Sequence, residues 1–495
     1  MKRTLAALKA FGLAKCIQYV QTARRRKALP HLFKTLVVCL SLIFFTCGEV
    51  FADSHIVIAN QEDSLPPGLA AKITEAGGTV TATISQIGVA VAESDDPDFT
   101  AKLSAIAGVR SVIPNIRFGQ SDPVVTEPLN TGMTMNLMET VAADLDELSF
   151  LQWNLLAIDA PGAWESGQTG VGVRVAVLDT GIVTTHPDLA PNLNLALSKS
   201  FVPSEPTVDF IYPNMIDYPF SHASHVAGII AGADNNIGIV GVAPDAEIVA
   251  VKVISDNLGD GEFSWVLQGI VYAADIKADV INLSLGEGIS RHGEPGFPAK
   301  MVQELVTALN RAASYAHKRG ATIVAAVGNG AVDRNHDKDV IFLPADLPHV
   351  ISVSATGPIG LGLNPDADLD SPAFYSDFGQ SAVDLAAPGG NLDFDLYYSG
   401  DICPPGIPCF MLDFVLSAGF DPTAPDQAGW EFSIGTSMAA PHVAGTAALI
   451  IGRNGGDMQP DQVRTILQQT ADDLGKPGND PFYGHGRVNA GNAVR

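Results

Sequence analysis

The sequence predicts an α/β protein, with a parallel sheet covered by helices on both faces and a small α+β domain before it. From residue 152 onward, short apolar runs rich in β-branched residues alternate with helical patterns. Strands buried on both faces of a parallel sheet have this near-continuous apolar character. The predicted strands are residues 173–178, 247–253, 280–283, 322–327, 350–354 and 383–386. Polar functional residues are expected at the carboxyl ends of these strands.

The first 52 residues have the pattern of a secretory signal peptide. They hold nine of the 29 Lys and Arg residues and one of the 54 acidic residues, and the basic part precedes an apolar segment at 36–47. Cleavage is expected after Ala52. A membrane anchor or a lipoprotein signal is the alternative, but this segment is shorter than the roughly 20 residues that span a bilayer. We therefore expect a secreted or periplasmic protein without a stable membrane span.

Charge and cysteine content narrow the functional classes. Outside the first 52 residues, 29 − 9 = 20 basic residues stand against 54 − 1 = 53 acidic residues, a formal charge near −33, which disfavours nucleic acid or an anionic membrane as a partner. Cys16, Cys39 and Cys47 belong to the leader, so Cys403 and Cys409 remain after export. An oxidising compartment favours a disulfide between them. The absence of a nearby His in the sequence disfavours a zinc site there.

Residues 55–118 predict a small domain of their own. Its strands are expected at 55–59, 79–84, 88–93 and 109–114, and its helices at 67–76 and 97–107. This order is that of a ferredoxin-like fold, which by itself indicates no function. Residues 119–150 have weak periodicity and contain Pro, Gly and acidic residues, so we expect a linker open to cleavage. The predicted domains are residues 1–52, 53–118, 119–150 and 151–495.

A serine lies at the start of a predicted buried helix near the carboxyl end of the chain. Residues 435–445 are Gly-Thr-Ser-Met-Ala-Ala-Pro-His-Val-Ala-Gly and lead into an apolar run. Because Pro441 is tolerated only near the first turn of a helix, Ser437 is expected beside free backbone N–H groups and the positive helix end. This position suits a nucleophile whose reaction develops an oxyanion. For an isolated Ser, a plain helix N-cap is the alternative.

An Asp and a pair of His residues occur at two other element ends. Asp179 ends an apolar predicted strand, where a buried carboxylate either caps a turn or orients another polar group. His222 opens a predicted helix, and His225 follows three residues later. Two His at this spacing can share a helix face and bind zinc, although no third ligand pattern accompanies them.

Together these segments resemble the subtilisin family of serine peptidases, whose catalytic residues occur in the order Asp, His, Ser. The resemblance extends over roughly residues 55–495. It implies that Ser437 is the nucleophile and His222 the general base, while Asp179 orients the imidazole and stabilises the imidazolium.

The resemblance also decides between the two His residues. The family motif is His-Gly-Thr-His-Val-Ala-Gly, whose first His is the base, so His222 is implied as catalytic and His225 as a packed neighbour. This chain has Ala223 and Ser224 where Gly and Thr are usual. Asn329, between two glycines, matches the Asn that donates to the oxyanion; a turn residue is the alternative.

Substrate contacts are implied by the same resemblance. Ser284, Leu285 and Gly286 would pair with an extended substrate as an added strand, and Ala345 would lie near the primary specificity pocket. Four acidic residues fall in segments that line the cleft in relatives. They either favour basic substrate side chains or form a solvated face: Asp256, Asp260, Glu262 and Glu287.

A structural calcium site is a further implication. The loop at 233–239 aligns without a gap to the calcium loop of relatives, and oxygen-only ligands on an irregular loop suit this ion. The implied side-chain ligands are Asp188 and Asn235, and the implied carbonyl ligands are those of Ala233, Ile237 and Ile239. A turn made by Asn and Gly without metal is the alternative.

The sequence therefore predicts an exported serine endopeptidase that cleaves proteins or peptides as a monomer. In the family, a domain placed like residues 53–118 is an inhibitory propeptide; an accessory domain is the alternative. Residues 389–432 form an insertion of unassigned role that shapes the cleft or binds a partner. A catalytically inactive binding protein with the same fold is one alternative function. Another is an acyl-transfer enzyme acting on esters or in peptide ligation, which a comparison of amide with ester hydrolysis would distinguish.

Overall fold

The structure, a computed structural model, describes residues 54–119, 125–129, 148–212, 220–404, 406–421 and 424–495. The predicted signal peptide and most of the predicted linker lie outside these residues. Within them, no helix is both long enough and apolar enough to cross a membrane.

Residues 54–114 form a four-stranded antiparallel sheet with two helices. The strands are β1 (Ser54–Ala59), β2 (Thr79–Ile84), β3 (Val89–Glu93) and β4 (Val109–Pro114), and the helices are α1 (Leu69–Glu75) and α2 (Phe99–Ser104). Their order in the sheet is β2-β3-β1-β4. In β1, Val57 packs with the two helices, whereas Ile56 and Ile58 belong to a core shared with the larger sheet. Both faces of β1 are therefore buried, which accounts for its continuous apolar run.

The rest of the described chain alternates strands and helices. Its strands are β5 (Arg117–Gly119), β6 (Val125–Pro128), β7 (Arg174–Asp179), β8 (Lys199–Ser200), β9 (Glu247–Lys252), β10 (Asp260–Glu262), β11 (Val280–Leu283), β12 (Glu287–Ser290), β13 (Gly293–Glu294), β14 (Phe297–Pro298), β15 (Thr322–Ala326), β16 (Val340–Leu343), β17 (Val350–Thr356), β18 (Leu385–Pro388), β19 (Ile402–Cys403), β20 (Ile407–Pro408), β21 (Val415–Asp421) and β22 (Ala424–Ile434). Its helices are α3 (Trp153–Ala157), α4 (Ala160–Glu165), α5 (His222–Ala231), α6 (Phe263–Asp275), α7 (Ala299–Lys318), α8 (Phe394–Ser399), α9 (Thr436–Arg453), α10 (Pro460–Thr470) and α11 (Ala490–Ala493).

Seven strands form one parallel sheet in the order β18-β17-β15-β11-β7-β9-β8. Alternate residues of β7 face two cores. Val175 and Val177 lie in the core that contains α5 and α9, and Ala176 and Leu178 lie in the core that contains α6 and α7. The predicted parallel sheet with helices on both faces is confirmed. Its six predicted strands are present; the strand at 280–283 has the predicted bounds, and the ends of the other five differ by at most two residues.

The segment 389–432, which was predicted to be an insertion, contributes β21 and most of β22 to a small antiparallel sheet that packs against α5. Its strand order is β21-β22-β6, so β6, from the predicted linker, pairs with β22, with Val125 opposite Ile434. Cys403 and Cys409 form a disulfide within the insertion. Because β22 ends at Ile434 and α9 begins at Thr436, the insertion leads directly into Ser437.

Candidate active site

Asp179 and His222 meet at the carboxyl edge of the parallel sheet. Asp179 is the last residue of β7, His222 is the first residue of α5, and both side chains are fully buried. The His222 Nδ1–H donates to Asp179, with Oδ1 at 2.7 Å and Oδ2 at 2.9 Å. The Thr180 amide also donates to Asp179 Oδ1, at 2.7 Å. The carboxylate thus orients the imidazole and holds its proton on Nδ1.

The opposite ring nitrogen of His222 is not used in the contact with Asp179. Nε2 is buried and makes no hydrogen bond within the described ranges of the chain. Ala223 and Ser224, which depart from the family motif, fit this arrangement. The Ala223 amide donates to Thr180 Oγ1 at 3.1 Å, and Ser224 Oγ accepts from the Val183 amide at 2.8 Å. Both contacts tie the start of α5 to the loop after Asp179.

His225 has a separate set of partners from His222. Its Nε2–H donates to the carbonyls of Glu431 at 3.0 Å and Val415 at 3.2 Å. Burial is the main cause that lowers the pKa of His225 to about 3, so its ring is neutral. His225 therefore packs helix α5 against the insertion. Since the two His residues bind different groups, the geometry does not support a shared zinc site.

Ser437 is the second residue of α9 and is also buried. Its Oγ–H donates to the Ser284 carbonyl at 3.2 Å. Pro441 lies inside the same helix, in its second turn, and cannot donate to the carbonyl of Ser437 four residues earlier. The Ser284 hydroxyl donates to that carbonyl instead, at 2.8 Å. The predicted substrate strand thus holds the serine-bearing turn in place.

Asn329 follows β15 at the same edge and is anchored through its amide oxygen. Oδ1 accepts from the Thr436 amide at 2.9 Å and from the Thr436 hydroxyl at 2.8 Å. These two bonds hold the Asn329 amide against the start of α9. A side-chain NH₂ group held beside the start of this helix can donate to a developing oxyanion.

Asp377 supports the Asn329 loop and was not identified from the sequence. Its Oδ1 accepts from the amides of Gly330 at 3.0 Å and Val332 at 2.9 Å. Burial, as the largest cause, raises the pKa of Asp377 to about 6. Gly328 has a φ of +119°, and a Cβ there would lie 2.6 Å from Asp377 Oδ2, so the loop requires glycine. Nothing local in the sequence around Asp377 marks this role.

The predicted substrate residues lie together on one side of the site. Ser284, Leu285 and Gly286 connect β11 to β12, and β12 pairs with β16, which leads into buried Ala345. The Phe342 ring of β16 fills the space beside Gly286. A Cβ at Gly286 would overlap Phe342 Cε1, and a Cβ at Gly328 would lie 2.9 Å from Cε2. Phe342 was not identified from the sequence.

Three of the four acidic residues singled out from the sequence contact the segment that follows the small sheet. Strand β5 pairs antiparallel with β10, with Gly119 opposite Asp260. Arg117 Nε donates to Asp260 Oδ2 at 2.8 Å, and its guanidinium lies 3.7 Å from Glu262. The Gly119 amide donates to Glu287 Oε2 at 3.4 Å. These three carboxylates are therefore engaged by residues 117–119 rather than forming a solvated face.

Asp256 has a structural environment of a different kind. It is buried, pairs with Lys252 Nζ at 2.6 Å, and accepts from the Gly181 amide at 2.9 Å. Lys252 also pairs with buried Glu205 at 2.6 Å. Burial, as the largest cause, raises the pKa of Asp256. This side chain holds the turn after Asp179 and does not offer a charge to substrate.

Buried Asp188 accepts hydrogen bonds from two residues of the predicted calcium loop. The Ala233 amide donates to the Asp188 carbonyl at 2.8 Å, and the Ile239 amide donates to Oδ2 at 3.0 Å. Trp430 Nε1–H, from the insertion, donates to the same Oδ2 at 2.8 Å. Asn235 Oδ1 accepts from the Ile237 amide at 2.9 Å. The atoms proposed as metal ligands in this loop are all side-chain or carbonyl oxygens, which is the type of ligand that calcium prefers.

The chain is similar to known subtilases. The family model described as the subtilase family (Peptidase_S8) matches residues 170–486. M-protease of Shouchella clausii is 34% identical over 373 residues, which cover 75% of this chain and 77% of that protein. The structure of fervidolysin from Fervidobacterium pennivorans, described as a keratinolytic enzyme related to subtilisin, has a TM-score of 0.64 at 26% identity and covers 89% of this chain and 60% of that one. A Staphylococcus aureus epidermin leader peptide processing serine protease, at 21% identity, supports the fold alone, with a TM-score of 0.67 and coverage of 89% of this chain and 98% of that one.

Proposed function

The chain belongs to the subtilase family and is a serine endopeptidase acting on protein or peptide substrates; from this premise we propose that it is exported as a self-inhibited precursor. Its catalytic triad in this proposal is Asp179, His222 and Ser437. The observation that carries the assignment is the bidentate contact between the His222 Nδ1–H and buried Asp179, since it leaves Nε2 to act as the base.

In the proposed reaction, Ser437 Oγ attacks the scissile carbonyl while His222 Nε2 takes the hydroxyl proton. The C–O bond to Ser437 forms, and the carbonyl electron pair moves to oxygen. Asn329 Nδ2–H and the Ser437 amide stabilise that oxyanion. His222 then gives its proton to the leaving amine as the C–N bond breaks. Water hydrolyses the acyl-enzyme by the same steps, with His222 again as base.

We propose that residues 53–118 act as an inhibitory propeptide. Support comes from the pairing of β5 with β10 and from the contacts of Arg117 and Gly119 with cleft carboxylates. The buried face of the small sheet adds an apolar interface with α6 and α7. By pairing with β10, strand β5 uses the main-chain hydrogen bonding by which an extended peptide adds to the edge of a strand. The cleavage that releases it is expected within residues 119–150.

Expression of the full chain and of Ser437→Ala in a secreting bacterial host tests export, maturation and chemistry together. We expect the exported Ser437→Ala chain to begin near residue 53 and to stay that length. We expect the wild type to begin within residues 119–150, to hydrolyse casein and to react with a serine-directed phosphonate. N-terminal sequencing and intact mass give both results. Equal shortening of the two proteins would show that another protease performs the maturation, and an unreactive, unshortened wild type would contradict the enzyme assignment.

We propose that calcium binds at Asp188 and Asn235 as a structural ion. The support is the oxygen-only donor set around a fully buried carboxylate. An ion that binds only the folded state raises its stability, so a calcium chelator is expected to lower Tm. Asn235→Ala should remove most of that calcium-dependent increment. A Tm that is insensitive to calcium in the wild type would contradict the site.

The Phe342 ring is expected to restrict the substrate side chain on the acyl side of the scissile bond. It lies between the backbones of Gly286 and Gly328, next to the predicted specificity pocket. We expect Phe342→Gly to raise kcat/KM for peptides with an aromatic residue at this position by about tenfold or more, relative to peptides with Ala. Kinetics on a matched peptide series would check this. Phe410→Ala, which removes a buried ring from the insertion, is the control and should leave the ratio unchanged. A wild type that already prefers aromatic residues would contradict the assignment.

A further inference from the structure

Two imidazoles and a carboxylate converge at a point of the fold that the proposed reaction does not use. His317 lies in the last turn of α7, His349 immediately precedes β17, and Asp461 lies in the first turn of α10. One ligating atom from each of these residues lies within 4.8 Å of the other two. The ring centroids of His317 and His349 are 4.0 Å apart, and His317 Nε2 is 3.0 Å from Asp461 Oδ1.

The cluster is far from the catalytic residues. His317 and His349 precede strands β15 and β17, so they lie at the amino edge of the parallel sheet, whereas Asn329 follows β15 at the carboxyl edge. At about 3.3 Å per residue, the five residues of β15 separate the two edges by about 16 Å. A ligand held at the amino edge would therefore act on stability and not on the reaction.

The backbone at His349 indicates that the position of this imidazole is constrained. Its φ is +69°, in the left-handed region where a non-glycine residue costs on the order of 1 kcal/mol or more. His317 and His349 are both half-buried, and Asp461 is exposed, so the cluster is open to ions from solvent. Two imidazole rings this close would repel each other if both were protonated, because each would then carry a positive charge.

The charges around the cluster do not prevent cation binding. Lys318 and Arg464 are the nearby cations. Arg464 is neutralised by Asp384 at 2.7 Å, and Lys318 is exposed. Neutral imidazole nitrogens and one carboxylate are ligands that suit zinc and similar late divalent metals, whereas calcium prefers oxygen donors alone.

We propose that His317, His349 and Asp461 form a structural site for zinc or a similar late first-row divalent ion. The ion joins the end of α7, the start of β17 and the start of α10. The remaining coordination positions are filled by water. Binding requires a lone pair on each ligating nitrogen. The proton now on His317 Nε2 moves to Nδ1 through solvent, and no other reactant is needed.

The test uses the full-length Ser437→Ala protein, which prevents self-cleavage during the titration. The protein is freed of zinc, kept in excess calcium, and titrated with Zn²⁺ by calorimetry; Co²⁺ absorption reports the ligand set. We expect one equivalent of zinc to bind and Tm to rise by about 2–4 °C. His317→Gln and His349→Asn should each weaken binding by about tenfold or more. Asn is chosen because it tolerates the left-handed backbone at position 349.

His292→Gln is the matched control, because His292 is exposed and faces a single carboxylate, Asp339, at 3.1 Å. This variant should bind zinc as the parent does. If His349→Asn does not fold, His317→Gln alone tests the zinc site. Residue 317 has an ordinary helical backbone, so this substitution is expected to leave the fold intact. The proposal is overturned if no stoichiometric zinc binds, or if zinc affinity is unaffected by His317→Gln. Casein hydrolysis by the wild type should not depend on zinc. A failure of the zinc test would therefore leave the peptidase assignment unaffected, and an inactive peptidase would leave the zinc site unaffected.

Discussion

Replacing His222 by Ala is expected to lower kcat by about 10⁶-fold, as loss of the nucleophile or the base does in subtilisin. This loss corresponds to about 8 kcal/mol of transition-state stabilisation. Without the imidazole, no group takes the proton of Ser437 Oγ as it attacks. Asp179→Asn should cost about 10⁴-fold, because an amide no longer selects the tautomer with its proton on Nδ1. We expect KM to change little in both variants.

Maturation must be separated from catalysis in this measurement, since an inactive chain would not shorten itself. A recognition sequence for an unrelated protease, placed within residues 130–147, allows every variant to be matured in the same way. The double variant His222→Ala/Ser437→Ala is the decisive comparison. If the two residues act as one unit, the double variant is no slower than either single variant. Multiplicative losses would contradict the proposed division of roles.

Asn329→Ala is expected to lower kcat by about 10²- to 10³-fold with little change in KM, as loss of the corresponding donor does in subtilisin. The interaction is made in the transition state, where the carbonyl oxygen carries charge, and hardly at all with the bound substrate. The measurement is the separate determination of kcat and KM on one peptide amide.

Asn329→Asp distinguishes donation from positioning. This substitution keeps the oxygen that accepts from the Thr436 amide and hydroxyl, but it replaces the NH₂ group by a second oxygen. If Asn329 donates to the oxyanion, the Asn329→Asp variant should be at least as slow as the Asn329→Ala variant. If its role is only to hold Thr436, the Asn329→Asp variant should retain most of the activity. The second result would remove Asn329 from the proposed oxyanion hole.

The main helices and strands were predictable because each depends on a pattern of apolar residues within its own short stretch of sequence. A strand buried on both faces needs a continuous apolar run, and β7, β11 and β15 each have one. The ends of these runs are also local, so the placement of Asp179 at a strand end and His222 at a helix start followed from the sequence. The helix around Ser437 was anticipated too, although Pro441 lies one turn deeper than expected. Pro441 has no N–H to donate to the Ser437 carbonyl, and the hydroxyl of Ser284, 153 residues away in the sequence, donates to that carbonyl instead.

By itself, the sequence determined which elements form and which residue types stand at their ends, and the family resemblance added an expected role for each. Only the tertiary structure decided what those residues touch. The support of the Asn329 loop by Asp377, the Phe342 ring beside Gly286, and the engagement of Asp260 by Arg117 all join segments far apart in the chain. The physical reason is range: backbone periodicity is set by neighbouring residues, whereas contacts between loops depend on how the whole sheet brings them together.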